Sequence, residues 1–347
     1  MANGKTTGLA GTIIRTLFSP NYILIWLFIL MIAFFSIMSE PFMTGENILE
    51  ILRTCGLLSL MVLGVTWVVA MGEIDIAFPQ NAAMSSMVAA YLLARGYSWT
   101  VAIIAAIVSG LPLGLLSGFL VAKFRFPSII ASIAVGTVAG SIANIINGGN
   151  PLYIATIPPG VNTFVYGTIG GVLGFEAMVA GIPVLETIAG IPILFVVIVC
   201  VYAFTTWIQD HTTTGQHLYA LGENRKAALE AGIREERVIM NFFTLSALLA
   251  TASGVILAAS FTSGQARLGE TFFINGLTAV FLGAMVVKIG KPNVIGTLLG
   301  AIIIAALTNG LTMLNVPYFA GLILKGVMMV CGVTTIIIAT RVKRKTG

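Results

Sequence analysis

The chain is written in long apolar runs separated by short polar breaks. A bilayer core of about 30 Å needs about 20 apolar residues as a helix. Charge-free runs of that order lie at approximately 21–39, 55–72, 77–94, 98–122, 127–147, 188–208, 239–261, 272–287, 293–314 and 319–340. The third and eighth are short or interrupted. The pattern predicts an all-α membrane protein of about ten transmembrane helices, a single transmembrane domain over residues 1–347.

The cations orient this map. With the N-terminus inside, the inner segments hold Lys5, Arg15, Lys123, Arg125, Arg225, Lys226, Arg234, Arg237, Lys288, Lys291, Arg341, Lys343, Arg344 and Lys345. The outer segments hold Arg53, Arg95 and Arg267, and Lys325 falls within the tenth run. Cytoplasmic loops carry an excess of Lys and Arg, so both termini are expected in the cytoplasm. An odd number of spans would spoil the asymmetry.

Composition agrees. Hydrophobic residues make up 58% and charged residues 9% of the chain, too few to coat a water-soluble surface. The net charge of +5 comes from short clusters beside apolar runs, which argues against a nucleic-acid partner. Cys55, Cys200 and Cys331 lie in separate apolar runs without metal-ligand spacing and read as small buried residues. The first run lacks a small-x-small cleavage site and is expected to remain as a span.

A weak repeat runs through the chain. Gly110-Leu-Pro-Leu-Gly114, followed by Phe126-Pro127, is echoed by Gly296-Thr-Leu-Leu-Gly300 and Val316-Pro317, five spans later and inverted in direction. Inverted repeats are common in transporters, here of spans 2–5 and 7–10. Glycine-rich membrane helices also recur by chance. Gly110, Gly114 and Gly118 share one helical face, suited to close helix packing.

Two soluble segments stand out. The outer one, 148–187, is rich in Gly and Pro, carries Glu176 and Glu186, and is expected to form short helices along the membrane surface. The inner one, 209–238, contains a compact helix with readable ends. Asn224 is a good N-cap, 225–231 are helix formers, and Gly232 suits the left-handed residue past the end. So short a helix is marginal alone and needs something to dock against.

Three blocks carry a resemblance. Thr213-Thr-Gly-Gln-His-Leu-Tyr-Ala-Leu-Gly-Glu-Asn-Arg-Lys-Ala-Ala-Leu-Glu-Ala-Gly-Ile233 is similar to the cytoplasmic loop of monosaccharide permeases (the ribose, xylose and arabinose branch) of bacterial ATP-binding-cassette importers. Gly72-Glu-Ile-Asp75 resembles that family's motif after span two, although Ala77, Pro79 and Gln80 stand where Ser, Gly and Ser are usual. Leu277 to Gly283, Gly290 to Gly300, Asn309-Gly-Leu311 and Lys325-Gly326 follow its C-terminal signature, preceded by Phe273-Ile-Asn275 in place of Glu-Leu-Asp.

The resemblance implies a permease subunit of the inner membrane whose short helix couples to an ATPase. The coupling residues it implies are Glu223, Asn224, Ala227, Ala228, Leu229, Gly232 and Ile233. The implied partners are ATPase subunits, a periplasmic or lipid-anchored binding protein, and a second permease subunit, identical or paralogous. ATP would be bound by the ATPase partners. The chain contains no P-loop, His-Glu-x-x-His or nucleophile elbow, so it is expected to be no enzyme and to need no cofactor of its own.

Pathway candidates are Asp75, Asn144, Asn275, Asn309 and Lys325. Each has a plainer role open to it. Glu73 and Asp75 could form a polar break near the pathway, or a span end held by helix amides or by Lys123 or Arg125. Lys325 could snorkel, face the pathway or pair with a carboxylate, pairing being the expectation. Asn144, Asn147, Asn275, Asn309 and Asn315 could meet sugar hydroxyls or join helices. His211 and His217 have no partner at catalytic spacing and read as structural. Importers of nucleosides, branched-chain amino acids or a furanosyl signal molecule are alternatives, as is a secondary transporter, which would need more intramembrane ionisable residues.

Overall fold

The structure, a computed structural model, describes residues 23–174, 183–288 and 290–346. Lys5, Arg15 and Glu176 lie outside the described residues. The helices are α1 (Ile23–Met38), α2 (Gly45–Ala70), α3 (Phe78–Ala94), α4 (Trp99–Val108), α5 (Gly110–Ala122), α6 (Ser128–Ile146), α7 (Pro159–Tyr166), α8 (Ile169–Leu173) and α9 (Pro183–Ala189). They continue with α10 (Ile193–His211), α11 (Thr213–Glu223), α12 (Arg225–Glu230), α13 (Glu235–Ser260), α14 (Leu268–Gly283), α15 (Val294–Met313) and α16 (Tyr318–Thr346).

Each expected run is helical over most of its described length, the fourth as two helices. Six of these helices, counting α4 and α5 as one, are long and apolar enough to cross a membrane, and α1, α14 and α16 carry shorter apolar stretches. Span four is two helices because Pro112 has no N–H to return to Val108, so the ladder breaks near Ser109. The hydroxyl of Ser109 donates to the Ala106 carbonyl there (2.6 Å).

Two ends can be told apart by what touches. At one end, α11, α12 and the first turn of α13 meet the α2–α3, α5–α6 and α14–α15 links through the ion pairs described below. We call this the knob end. At the other, Leu152–Tyr153 (β1) pairs antiparallel with Ser263–Gly264 (β2), Leu152 opposite Gly264. Trp99 Nε1 donates to the Thr156 carbonyl (3.1 Å), and the Tyr166 hydroxyl to that of Ser260. This strand end carries α7, α8 and α9, so the described residues of the 148–187 segment are short helices plus one strand.

α2 and α13 form the centre, and both are heavily buried. They cross where Gly64 meets Ser246. A Cβ on Gly64 would lie 2.3 Å from the Ser246 Cα, so only glycine permits this approach. α13 also packs on α3 and α5, while α2 packs on α14 and α15. Exchanging spans 2–5 for 7–10 turns the α5–α13 pair into α15–α2, α3–α13 into α14–α2, and α3–α6 into α14–α16. All of these pairs are in contact, as an inverted repeat requires.

The glycine echo is looser than the helix echo. Gly110, Gly114 and Gly118 press on α13 at Thr251, Thr244 and Met240. Gly296 and Gly300 instead press on α14, at Gly283 and Ala279. The same spacing therefore serves two non-equivalent contacts. Cys55 is buried as expected, but Cys200 and Cys331 are exposed, because α10 and α16 turn those faces outward from the bundle.

Candidate functional site: the knob and its anchors

Residues 213–233 form two helices in tandem, not one. The sequence makes the second self-terminating. Asn224 is extended (φ −152°), and its side-chain oxygen accepts the Ala227 amide at 3.1 Å. At the far end Gly232 is left-handed (φ +82°), its amide donating to Leu229 O while the Ile233 amide donates to Ala228 O. Those two bonds make a Schellman cap. The six-residue helix is thus closed at both ends without help from a long ladder.

The knob's side chains divide by face. Leu218, Leu221 and Ala228 are buried against the membrane domain, and Ile233 packs on the same core. Leu229 is 45% exposed, and Glu223, Asn224, Ala227 and Gly232 are exposed beside it. Of the seven coupling candidates, Ala228 and Ile233 therefore seat the knob, and the other five face away from it. α11 approaches α2 so closely that a Cβ on Gly222 would lie 2.1 Å from the Ala70 carbonyl oxygen.

Ion pairs fix the knob at two places. On the first-half side, Arg225 Nη1 reaches Glu73 Oε1 (2.9 Å) and its Nε reaches Glu235 Oε1 (2.6 Å). Arg125 donates to the same Glu235 oxygen at 2.6 Å. Glu235 is 2% exposed, so its charge is held by two guanidiniums. Burial alone would lower the pKa of Arg225, but the hydrogen bonds and charges of Glu235 and Glu73 outweigh it and raise it. The guanidinium stays charged throughout the working range. Lys123 stands near Glu236 (4.0 Å).

On the second-half side, Lys288 meets Asp210 (2.5 Å) and Lys291 meets Glu223. Both ammonium groups sit over the Tyr219 ring, at 5.0 and 5.6 Å from its centroid. The Tyr219 hydroxyl donates to Pro292 O (3.1 Å); burial, then the charge of Asp210, pushes its pKa up, which keeps it a donor. Gln209 Oε1 accepts the first amide of α15, Val294 N (3.3 Å).

The 72–77 link carries the first anchor inward. Glu73 holds Arg225, while the Ile74 amide donates to Ser128 Oγ at the start of α6 (3.0 Å). Asp75 is buried and accepts the Ala77 amide (2.9 Å) and the Ser246 hydroxyl (2.7 Å). Ser246 is the residue at the α2–α13 crossing. The carboxylates of this link are thus held by an amide, a hydroxyl and Arg225, and not by Lys123 or Arg125. Those two cations are taken by Glu236 and Glu235, which enter from α13.

The pathway candidates do not converge. Asn144 is exposed, its amide donating within its own helix to Gly140 O (2.7 Å). Asn309 donates to Asn47 Oδ1 (2.8 Å), joining α15 to α2 near the strand end. Asn275 is buried with its Oδ1 unpartnered among the described residues. One turn on from it, Thr278 Oγ1 donates to the Lys325 carbonyl (3.4 Å), placing α14 against α16. Lys325 itself is 4% exposed and meets no carboxylate among the described residues. Its expected pairing is not found, because the helices around it supply no acid at that depth.

The ion network was missed at the level of sequence. In the sequence its cations serve as orientation markers, and Lys123 and Arg125 also as alternative holders of Glu73 and Asp75, whereas the structure pairs those two with Glu236 and Glu235. Spacing along the chain does not reveal pairs 110 or 152 residues apart.

Residues 47–333 match the family described as branched-chain amino acid transport system / permease component. Similar proteins include the ribose import permease protein RbsC of Bacillus subtilis (strain 168), 32% identical over 308 residues, covering 88% of this chain and 89% of that one. The xylose transport system permease protein XylH of Haemophilus influenzae is 27% identical over 355 residues (90% and 94%). The L-arabinose ABC transporter permease protein AraH of Azospirillum brasilense is 26% identical over 310 residues (89% and 85%). No solved structure matches significantly.

Proposed function

The chain belongs to the branched-chain amino acid transport system / permease component family and is a multi-pass ABC import permease; on that premise we propose that it imports a monosaccharide or related small polyol. Separate ATPase subunits on the knob side would supply the energy. A binding protein would deliver cargo at the strand end, and a second permease subunit would complete the pathway. The names of the relatives, which handle ribose, xylose and L-arabinose, support the cargo class.

The observation that carries the motor side of this reading is the knob. It offers an exposed apolar residue, Leu229, on a helix closed at both ends, and it is tied to both halves of the bundle. A push on Leu229 would move the knob as a unit. Through Arg225 and Glu73 the 72–77 link would follow, and through Asp75 and Ser246 the centre of α13. Through Lys291 and Lys288 the α14–α15 link would move with it. Switching a pathway between two openings needs such a bistable linkage.

The test is reconstitution into proteoliposomes with the ATPase subunits and the binding protein. Leu229→Asp is expected to abolish sugar uptake and binding-protein-stimulated ATP hydrolysis while membrane insertion is retained. Unchanged stimulation in that variant would remove the knob from the coupling role. Uptake of ribose, xylose and arabinose measured side by side with the intact protein tests the cargo class, and failure to accept any of them rejects it.

A further inference from the structure

Two arginines at the knob end stand apart from the ion network. Among the described residues there, Lys123, Arg125, Arg225, Lys288 and Lys291 each face a carboxylate. Arg234, Arg237 and Lys226 have none within the 4.0 Å of an ion pair among the described residues, and of these the two arginines line a cavity. Glu235 and Glu236 turn toward Arg225, Arg125 and Lys123. Arg234, which precedes α13, and Arg237 in its first turn instead line a cavity of about 410 Å³, together with Val238 and Phe242 of α13 and Thr214 and His217 of α11.

The depth of this cavity is informative. α13 has 26 residues and, at about 1.5 Å per residue, spans about 39 Å, longer than a hydrocarbon core of about 30 Å. Its charged first turn, Glu235 to Arg237, stands at the boundary, and the apolar run begins at Val238. The cavity therefore has a cationic rim at headgroup level and, below it, the apolar side chains of Val238 and Phe242 beside the exposed amide of Asn241. A soluble subunit would meet the rim, but not side chains sunk into lipid.

We propose that this cavity binds the headgroup of an anionic phospholipid from the knob-side leaflet. Arg234 and Arg237 would hold its phosphate, and His217 and Thr214 would add polar partners. Guanidinium forks suit phosphate oxygens, and basic pockets between helices at the inner face suit anionic headgroups. The proposal takes its sidedness from the import reading but is independent of cargo and motor. Because the cavity includes the Gly232–Ile233 turn, an occupying lipid would brace the end of the knob helix.

The experiment is native mass spectrometry of the full-length permease with its ATPase subunits, delipidated and titrated with phosphatidylglycerol, phosphatidylcholine or inorganic phosphate. The intact protein is expected to retain phosphatidylglycerol in preference to phosphatidylcholine. The double variant Arg234→Gln, Arg237→Gln is expected to lose about thirty-fold in that affinity, the effect of two cations at a membrane surface. Lys226→Gln, which removes an exposed cation outside the cavity, is expected to change little. Absence of the phosphatidylglycerol preference in the intact protein overturns the proposal whether or not the variant folds. Equal retention by the double variant also overturns it, as does displacement of the lipid by inorganic phosphate at comparable concentration. Loss of the ATPase subunits from the double variant with lipid retention unchanged would make the cavity a protein-docking site instead.

Discussion

The two ends of the bundle are held by different chemistry. At the knob end, four links meet through Arg225, Glu73, Glu235, Arg125, Lys288 and Lys291, each in a directional charged contact. At the strand end, a two-residue ladder, hydrogen bonds from Trp99, Tyr166 and Asn309, and apolar packing do the joining. The ion pair of Arg53 stays within α2, with Glu50, while its guanidinium lies over the Tyr166 ring. A charged contact resists displacement but breaks cleanly, whereas apolar contacts slide. Under the import reading proposed above, the difference suits an end that transmits motion and an end that adapts to a delivered cargo.

The largest effect that would break this contrast is removal of both guanidiniums from Glu235. Arg125→Ala with Arg225→Ala leaves the Glu235 carboxylate without a cation, a loss smaller than the roughly 3–5 kcal/mol of a fully buried pair because both guanidiniums are half exposed. Thermal unfolding in detergent should fall accordingly, and ATP hydrolysis should lose its dependence on the binding protein. Unaltered coupling in a folded double variant would show that the network is not a transmission path.

A smaller effect should come from crowding the knob against α2. Gly222→Val places side-chain carbons where the Ala70 carbonyl oxygen lies, an overpacking cost of about 1–3 kcal/mol. The expected outcome is a displaced knob: hydrogen exchange rises across 213–233 and at the 72–77 link, while β1 and β2 exchange as before. Exchange rising equally at both ends would mean that the two ends are not independent.

The smallest effect sharpens the comparison from the other side. Trp99→Phe removes the single hydrogen bond to Thr156, worth about 0.5–1.5 kcal/mol. It is expected to loosen the strand end, raising exchange near 152–156, with the ATPase response to the binding protein unchanged. An uncoupled ATPase in this variant would contradict the assignment of transmission to the opposite end.

What could be read in advance followed the same divide. The ten runs, the Asn224 cap and the Gly232 turn depend on local chemistry and are legible in the chain. α11 was not, because 213–223 carries no strong stop and its helix rests on Gly215 and Gly222 fitting against neighbours. Neither were the partners of Glu73 and Asp75. Lys123 and Arg125 are nearer along the chain, yet Arg225 wins Glu73 because the knob folds back beneath α2. Lys325 was expected to find an acid, and the two halves bring none to it. Tertiary pairing at a distance decides such cases, and no periodicity encodes it.

On the coupling role proposed for the knob, the closed ends of α12 have a consequence for how such a machine can change its motor. Because its cap and its turn are satisfied internally, the outward residues Ala227 and Leu229 can be exchanged without unravelling the element that displays them. The fit to a companion subunit can then drift, or be re-engineered, by surface substitutions alone, like cutting a new key on a standard blank. A chain built this way can acquire a different engine while leaving its conduit untouched.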